Sequence, residues 1–238
     1  MIVVDEEGAF FLVTQPDHAR FSGELLSLWR ADGLPAHPRR DDLLFAAREH
    51  DNGWREADAA PRWDAARGRP HDFTSLPAAD RVEIWERGVA RYAGSRPYAA
   101  LLIVRHALQL FGERRGDPVW DGLFALLDEL AAELFATTGA GEEELAADYR
   151  FLDLADLASL AACGRWQEPF HRHGVAGRPA PGRLVLDPFP LAGTTTFAVP
   201  CRRVPRRAYA GDADLGGELA AARWEHWMVK VAEPVEEG

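Results

Sequence analysis

The chain has 238 residues, 47% hydrophobic and 27% charged, the size and composition of one substantial soluble globular domain. Its formal net charge of −11 opposes nonspecific binding to DNA or RNA, which rests on neutralising phosphates, but it allows a local arginine pocket for a small phosphorylated molecule. Cys163 and Cys201 are too far apart for a disulfide framework or a Cys-rich zinc site, no uncharged apolar stretch reaches spanning length, and the acidic residues soon after the start MIVVDEEGAF are unlike a signal peptide, so the expectation is a reducing cytoplasmic location with no membrane partner.

Residues 2–4 and 10–13 are β-prone runs around Asp5-Glu6-Glu7-Gly8 and predict a hairpin. Thr14 reads as an N-cap, with Pro16 in the first turn and Asp17 three residues on, opening a helix to about residue 29. Its inner face carries His18, Phe21, Ser22, Leu25 and Leu28, and Gly33-Leu34-Pro35 ends it. Asp41 and Asp42 cap a second helix that runs through Leu43, Ala46 and Ala47 to His50 on the same apolar face. The stretch 52–77 is rich in Gly, Pro and Asp and carries Trp54, Trp63 and Phe73. It is too long for a connector and predicts a lid or substrate-binding segment.

A third helix is expected over 79–92. A fourth opens at Pro97 with YAALLIVRHALQLF, apolar almost all round and therefore central. A fifth covers 119–136, Gly139-Ala140-Gly141 breaks it, and a sixth covers 142–163. Beyond Trp166, Pro and Gly become frequent. β-prone runs appear at 184–186, 195–199 and 227–231, with one more helix at 214–223. The expected fold class is mainly α: one domain over 1–238, with a hairpin and helical bundle in 1–166 and a β-containing extension in 167–238. A small accessory β-sheet is formed from the N-terminal hairpin and the C-terminal strands.

The chemistry-bearing residues sit on separate predicted helices: His18, the pair His50-Asp51, His106 and Asp156. Imidazole and carboxylate together suit divalent ions. Each residue also has a plainer reading. His50 favours a helix C-terminus through the dipole, and His18 is a first-turn histidine. His106 interrupts the most apolar helix, where burial without a partner is costly, so it is a core histidine bonded to a neighbour or a site residue. Asp156 shares a stripe with Asp153, yet also a largely apolar face with Tyr149, Leu152, Ser159, Leu160 and Cys163, where a carboxylate needs metal, arginine or hydrogen bonds. His71 lies in a loop and either approaches the site or faces solvent. His171 and His173 form a His-x-His pair with no carboxylate close in sequence, and His37 and His226 have no evident companions. Ser22 lacks a nucleophile-elbow setting, and Gly216-Gly217 is no phosphate loop.

The order His18, His50-Asp51, Asp156, with His50-Asp51-Asn52-Gly53 in the form HD-x-G, resembles the HD-domain superfamily of metal-dependent phosphohydrolases over roughly the first two thirds of the chain. The whole chain resembles the bacterial family known as domain of unknown function 3891. That resemblance is carried by Gln15-Pro16-Asp17-His18, Ser22-Gly23, His50-Asp51-Asn52-Gly53-Trp54, Pro61, Gly68-Arg69-Pro70, Phe73, His106 and Asp156-Leu157-Ala158-Ser159-Leu160. The HD resemblance implies an HD-like bundle in which His18, His50, Asp51 and Asp156 ligate a divalent ion (Mn, Fe, Zn or Mg). It also implies a metal-activated water that attacks phosphorus. Asp51 anchors the ion and takes part in proton transfer. His106 has no counterpart in the minimal motif and serves a second ion, the phosphate or catalysis. Trp54 replaces the superfamily's usual basic residue after the pair. The candidates for substrate contact are Arg20, Arg48, Arg55, Arg105 and His71.

The expected function is thus a metal-dependent hydrolase of a phosphorylated small molecule. The alternatives are a helical module that binds a small molecule or metal without turnover, and a metal-free bundle whose histidines satisfy one another.

Overall fold

The computed structural model describes residues 1–234. Strands β1 (Ile2–Glu6) and β2 (Ala9–Val13) form the predicted hairpin, turning through Gly8 at φ 74°. Helix α1 (Gln15–Ser27) follows directly. The Thr14 hydroxyl accepts from the Asp17 amide at 3.1 Å, satisfying a free donor of the first turn. Helix α2 (Arg40–Glu49) has His50 at its C-cap, and after a three-residue turn α3 (Trp54–Ala59) begins.

The expected lid segment is built from α3 and a two-stranded sheet of β3 (Trp63–Asp64) and β4 (Arg69–Pro70). The Phe73 amide anchors it by donating to the Met1 carbonyl at 2.9 Å. Helices α4 (Ala78–Ala90), α5 (Pro97–Phe111), α6 (Asp121–Thr138) and α7 (Glu142–Cys163) match the remaining helical patterns. Tyr98 to Val104, His106 and Ala107 of α5 are all buried, as an all-round apolar helix requires.

The expectation of a mainly α, all-helical bundle with a small accessory sheet is wrong. The protein is 48% helical and carries a large curled mixed sheet, an α/β fold. Strands β5 (Phe170–Arg172), β6 (Val175–Ala180), β7 (Arg183–Asp187), β8 (Thr195–Pro205) and β9 (Glu225–Ala232) join the hairpin in one seven-stranded sheet of order β1-β2-β8-β9-β7-β6-β5. The β7–β9 pair is parallel and the other pairs are antiparallel. Helix α8 (Asp212–Ala221) connects β8 to β9.

The sheet is structural because its strands bury one face against the bundle. Phe197, Val199 and Cys201 alternate inward along β8, and Phe197 meets Phe21 of α1 with ring centroids 5.1 Å apart. Trp227 of β9 donates from Nε1 to the Ala162 carbonyl of α7 at 3.3 Å. The hairpin is buried on both faces. Phe11 and Val13 enter the main core, while Phe10 and Leu12 enter a second cluster with Leu215 and Leu219 of α8. Among the described residues, no helix is long and apolar enough to cross a membrane.

Candidate metal centre

Helices α1, α2, α5 and α7 pack on one another and bring His18, His50, Asp51, His106 and Asp156 together inside the bundle. All are buried, with 0–7% of each residue exposed. The His18 and His50 rings lie 5.2 Å apart and the His50 and His106 rings 5.0 Å apart. Two triads of possible ligands share His50: His18, His50 and Asp51, and His50, His106 and Asp156. Within each triad the ligand atoms all lie within 4.8 Å of one another.

The ring nitrogens divide into an outer and an inner set. His50 Nδ1 is 2.9 Å from the Ala47 carbonyl, which only accepts, so Nδ1 carries the proton and Nε2 carries the lone pair in the neutral ring. That Nε2 lies 3.1 Å from Asp156 Oδ1 without the alignment of a hydrogen bond, 3.6 Å from Asp51 Oδ2, and has no bonded partner. His18 Nε2 sits 2.7 Å from Asp51 Oδ2, and its Nδ1 sits 2.9 Å from the Ser159 hydroxyl. Ser159 can give its proton to the Asp156 carbonyl at 2.9 Å and accept from His18 Nδ1–H, which frees His18 Nε2. Alternatively it donates to Nδ1, and Nε2–H then bonds Asp51. Ser22, 2.8 Å from Ser159, completes this support.

His106 differs. Its Nδ1 is 3.0 Å from the Tyr149 hydroxyl, which has no other acceptor among the described residues. Burial, reinforced by Asp153 and Asp156, pushes the Tyr149 pKa up, so the phenol keeps its proton. Tyr149 O–H therefore donates to Nδ1, and His106 presents Nε2–H at 3.8 Å from Asp156 Oδ2.

The electrostatics favour positive charge on one imidazole and oppose it on another. Burial opposes ionising His50, yet Asp51 and Asp156 outweigh it and lift its pKa to about 9. Burial also raises Asp156, but His50, with His106 and His18 adding to it, more than reverses this and holds the carboxyl well below the usual range. For His106 burial prevails over Asp156 and drives the pKa down to about 4.

A cavity of about 170 Å³ adjoins the cluster and is lined by Asp51, His106 and Asp156, with Gln15, Trp54, Phe73, Arg81, Trp85 and Phe111 around them. Trp54 and Phe73 of the 52–77 segment thus form part of its wall, while Trp63 packs instead on Phe10 and Tyr209. The HD-x-G turn is explained locally. Asn52 Nδ2 donates to the Glu49 carbonyl at 2.9 Å and the Gly88 carbonyl at 3.0 Å, and Gly53 packs directly on Gly88.

The arginines chosen from the sequence do not line this cavity. Arg20 pairs with Asp17, Arg55 with Glu49, and Arg105 with Glu142, while Arg48 lies in a separate cleft with Phe45 and Arg96. His71 bonds to the Ser75 carbonyl at 3.0 Å and borders a different cleft of about 240 Å³ beside Met1 and Asp58. Arg81 is the arginine on the cavity wall. The signal for it was its place four residues before the buried Trp85, one turn along the same face of α4. His37 and His173 do have companions: His37 Nε2 lies 3.0 Å from buried Asp148, and His173 Nε2 lies 2.6 Å from Asp153.

An α/β protein with a buried His/Asp cluster at the base of an aromatic cavity is the class that fold and site define. The chain belongs to the family described as "Protein of unknown function (DUF3891)", whose model matches residues 1–206, a span that contains every member of the cluster. No curated protein and no solved structure matches it.

Proposed function

We propose that this protein is a divalent-metal-dependent hydrolase acting on a phosphorylated small molecule. The observation that carries the reading is the inward set of atoms: the unpartnered His50 Nε2 faces Asp51 and Asp156, the His18 Nε2 faces Asp51, and each Nδ1 is held by a partner of its own. Metal-ligating histidines are held in this way by a bond from the other nitrogen. In the metal-free chain a proton on His50 Nε2 answers the two carboxylates, and a divalent cation would replace that proton and take up the ring lone pair. The donor set of nitrogen and oxygen fits Mn, Fe, Zn or Mg. The sequence order of His18, His50-Asp51 and Asp156 supports the same reading through its likeness to HD-domain phosphohydrolases.

His18, His50, Asp51 and Asp156 would hold the ion. The chemistry such an ion would supply is a bound water whose pKa falls from about 16 toward about 7 and polarisation of a phosphoryl oxygen. His106 Nε2–H then donates to a substrate oxygen facing the cavity, a role that suits an imidazole kept neutral by burial. Trp54, Phe73 and Trp85 exclude water around the ester.

Ser159→Ala removes the partner of His18 Nδ1 without touching a proposed ligand. It is expected to weaken metal retention about 10–100-fold, read by competition with a chelator. Unchanged retention would show that His18 needs no support from behind.

Binding should also release protons. His50 is protonated in the metal-free chain up to about pH 9, so at pH 7 it gives up about one proton on ligation. Affinity should therefore rise with pH and level off above about 9. Calorimetry in buffers of different ionisation enthalpy measures the release, and a value of zero would contradict the assignment of His50.

The reading itself is tested by assaying the metal-reconstituted protein for phosphate release from phosphomonoesters and phosphodiesters. Metal-dependent turnover is expected. A tightly bound ion with no turnover of any phosphoester would favour the second reading, a binding module without catalysis.

A further inference from the structure

The cavity beside the cluster is small and aromatic, and it carries a cation that no side chain among the described residues neutralises. Its volume of about 170 Å³ is well under the roughly 300–1,000 Å³ of sites for larger ligands, so it suits a small molecule. Trp85 packs edge to face on Phe111, with ring centroids 5.4 Å apart, and lies 5.9 Å from His106, so aromatic rings border the space on one side. Such a wall favours a flat apolar group over a sugar.

Arg81 stands on the same lining. Its guanidinium lies over the Trp120 ring at 5.3 Å, its Nε has no hydrogen-bond partner, and no carboxylate among the described residues forms an ion pair with it. Arg20, Arg55, Arg62, Arg87, Arg91 and Arg105 are all paired with carboxylates.

We infer that the cavity takes a single-ring arylalkyl phosphate carrying a second anionic group, with the ring against Trp85 and Phe111, the phosphate at the His/Asp cluster and the second anion on Arg81. This rests on the hydrolase reading for the phosphate end alone. The ring and Arg81 assignments concern binding. In the reaction, water forms the new P–O bond, the bond from phosphorus to the ester oxygen breaks, and the departing alkoxide takes the proton that water loses.

The test uses the full chain loaded with Mn²⁺ and four phosphates: 4-carboxybenzyl phosphate, benzyl phosphate, ethyl phosphate and a nucleoside 5′-monophosphate. All four leave as primary alkoxides, so binding rather than leaving-group chemistry separates them. The non-hydrolysable 4-carboxybenzylphosphonate and benzylphosphonate are titrated in parallel. The expected result is about tenfold higher kcat/KM for benzyl than for ethyl phosphate, and a further tenfold or more for the carboxylated ester, the gain of one charge-assisted hydrogen-bonded pair. Arg81→Gln should erase the second step, and Arg81→Lys should restore part of it. Equal rates for the two benzyl esters, or faster turnover of the nucleotide, would overturn this inference and leave the hydrolase reading standing. No turnover, with phosphonate binding that still depends on the carboxylate and on Arg81, would uphold the inference and overturn the hydrolase reading. Neither turnover nor binding would overturn both.

Discussion

Asp156→Asn is expected to strip the metal from the site and to lower phosphoester kcat/KM by at least about 10²-fold, beyond the usual cost of losing a supporting partner. The expectation follows from position. Asp156 Oδ1 lies 3.1 Å from His50 Nε2 and 3.8 Å from His18 Nδ1, and Oδ2 lies 3.8 Å from His106 Nε2, so this carboxylate alone reaches every imidazole of the cluster. Asparagine keeps the shape but loses the charge. The exchange keeps the side-chain volume and leaves Asp51 beside His50, and because removing one partner of a buried ion pair is destabilising, the circular-dichroism melt of the same preparation verifies that the variant is folded. Metal content and kcat/KM measured on the same preparation check this. Full metal content with full activity would remove Asp156 from the site.

Gly53→Ala is expected to destabilise the fold by about 3 kcal/mol, the upper end for overpacking in a tight core, and to lower Tm by roughly 6–12 °C. A Cβ at Gly53 would stand 2.1 Å from the Ile84 carbonyl oxygen, 3.0 Å from Gly88 Cα and 3.1 Å from Gly88 N. All three are backbone atoms of α4, so no side chain can swing away. Gly88→Ala should cost less, because its Cβ would approach Gly53 Cα and N at 3.2 Å while alanine favours the helix. Gly94→Ala, with nothing within 4 Å, is the control and should stay within about 1 kcal/mol. Because Gly53 lies two residues after Asp51, its displacement should also weaken metal retention. A Gly53→Ala protein that melts with the parent would refute the close crossing of α3 and α4.

The helices were legible because their signals are local. The Thr14 cap, the apolar period of α1 and α2, and the unbroken apolar run of α5 each fix an element without reference to the rest of the chain. The sheet was not, because its pairings are distant: residues 9–12 of β2 meet residues 202–205 of β8, and β9 inserts between β8 and β7. One signal did point to it. The continuous apolar run Phe10-Phe11-Leu12-Val13 is too uniform for a half-exposed hairpin and belongs to a strand covered on both faces, by the main core and by α8. At the site, His106 stood out as an imidazole inside an apolar helix. Tyr149 and Ser159 share the face of Asp156, and Ser159 belongs to its motif, but their support of His106 and His18 emerges only when α7 meets α5 and α1. Arg81 was missed because nearness to His50-Asp51 in sequence is not nearness in the fold.

The central claim is that the cluster holds a divalent ion. Elemental analysis of the full chain, purified without a histidine tag and compared with His50→Ala, tests it most directly. The account predicts a stoichiometric divalent metal in the parent, restored by Mn²⁺ or Zn²⁺ after chelation, and loss of that metal in His50→Ala. A parent that carries no metal and takes up none of Mn²⁺, Fe²⁺, Zn²⁺ or Mg²⁺ would contradict it.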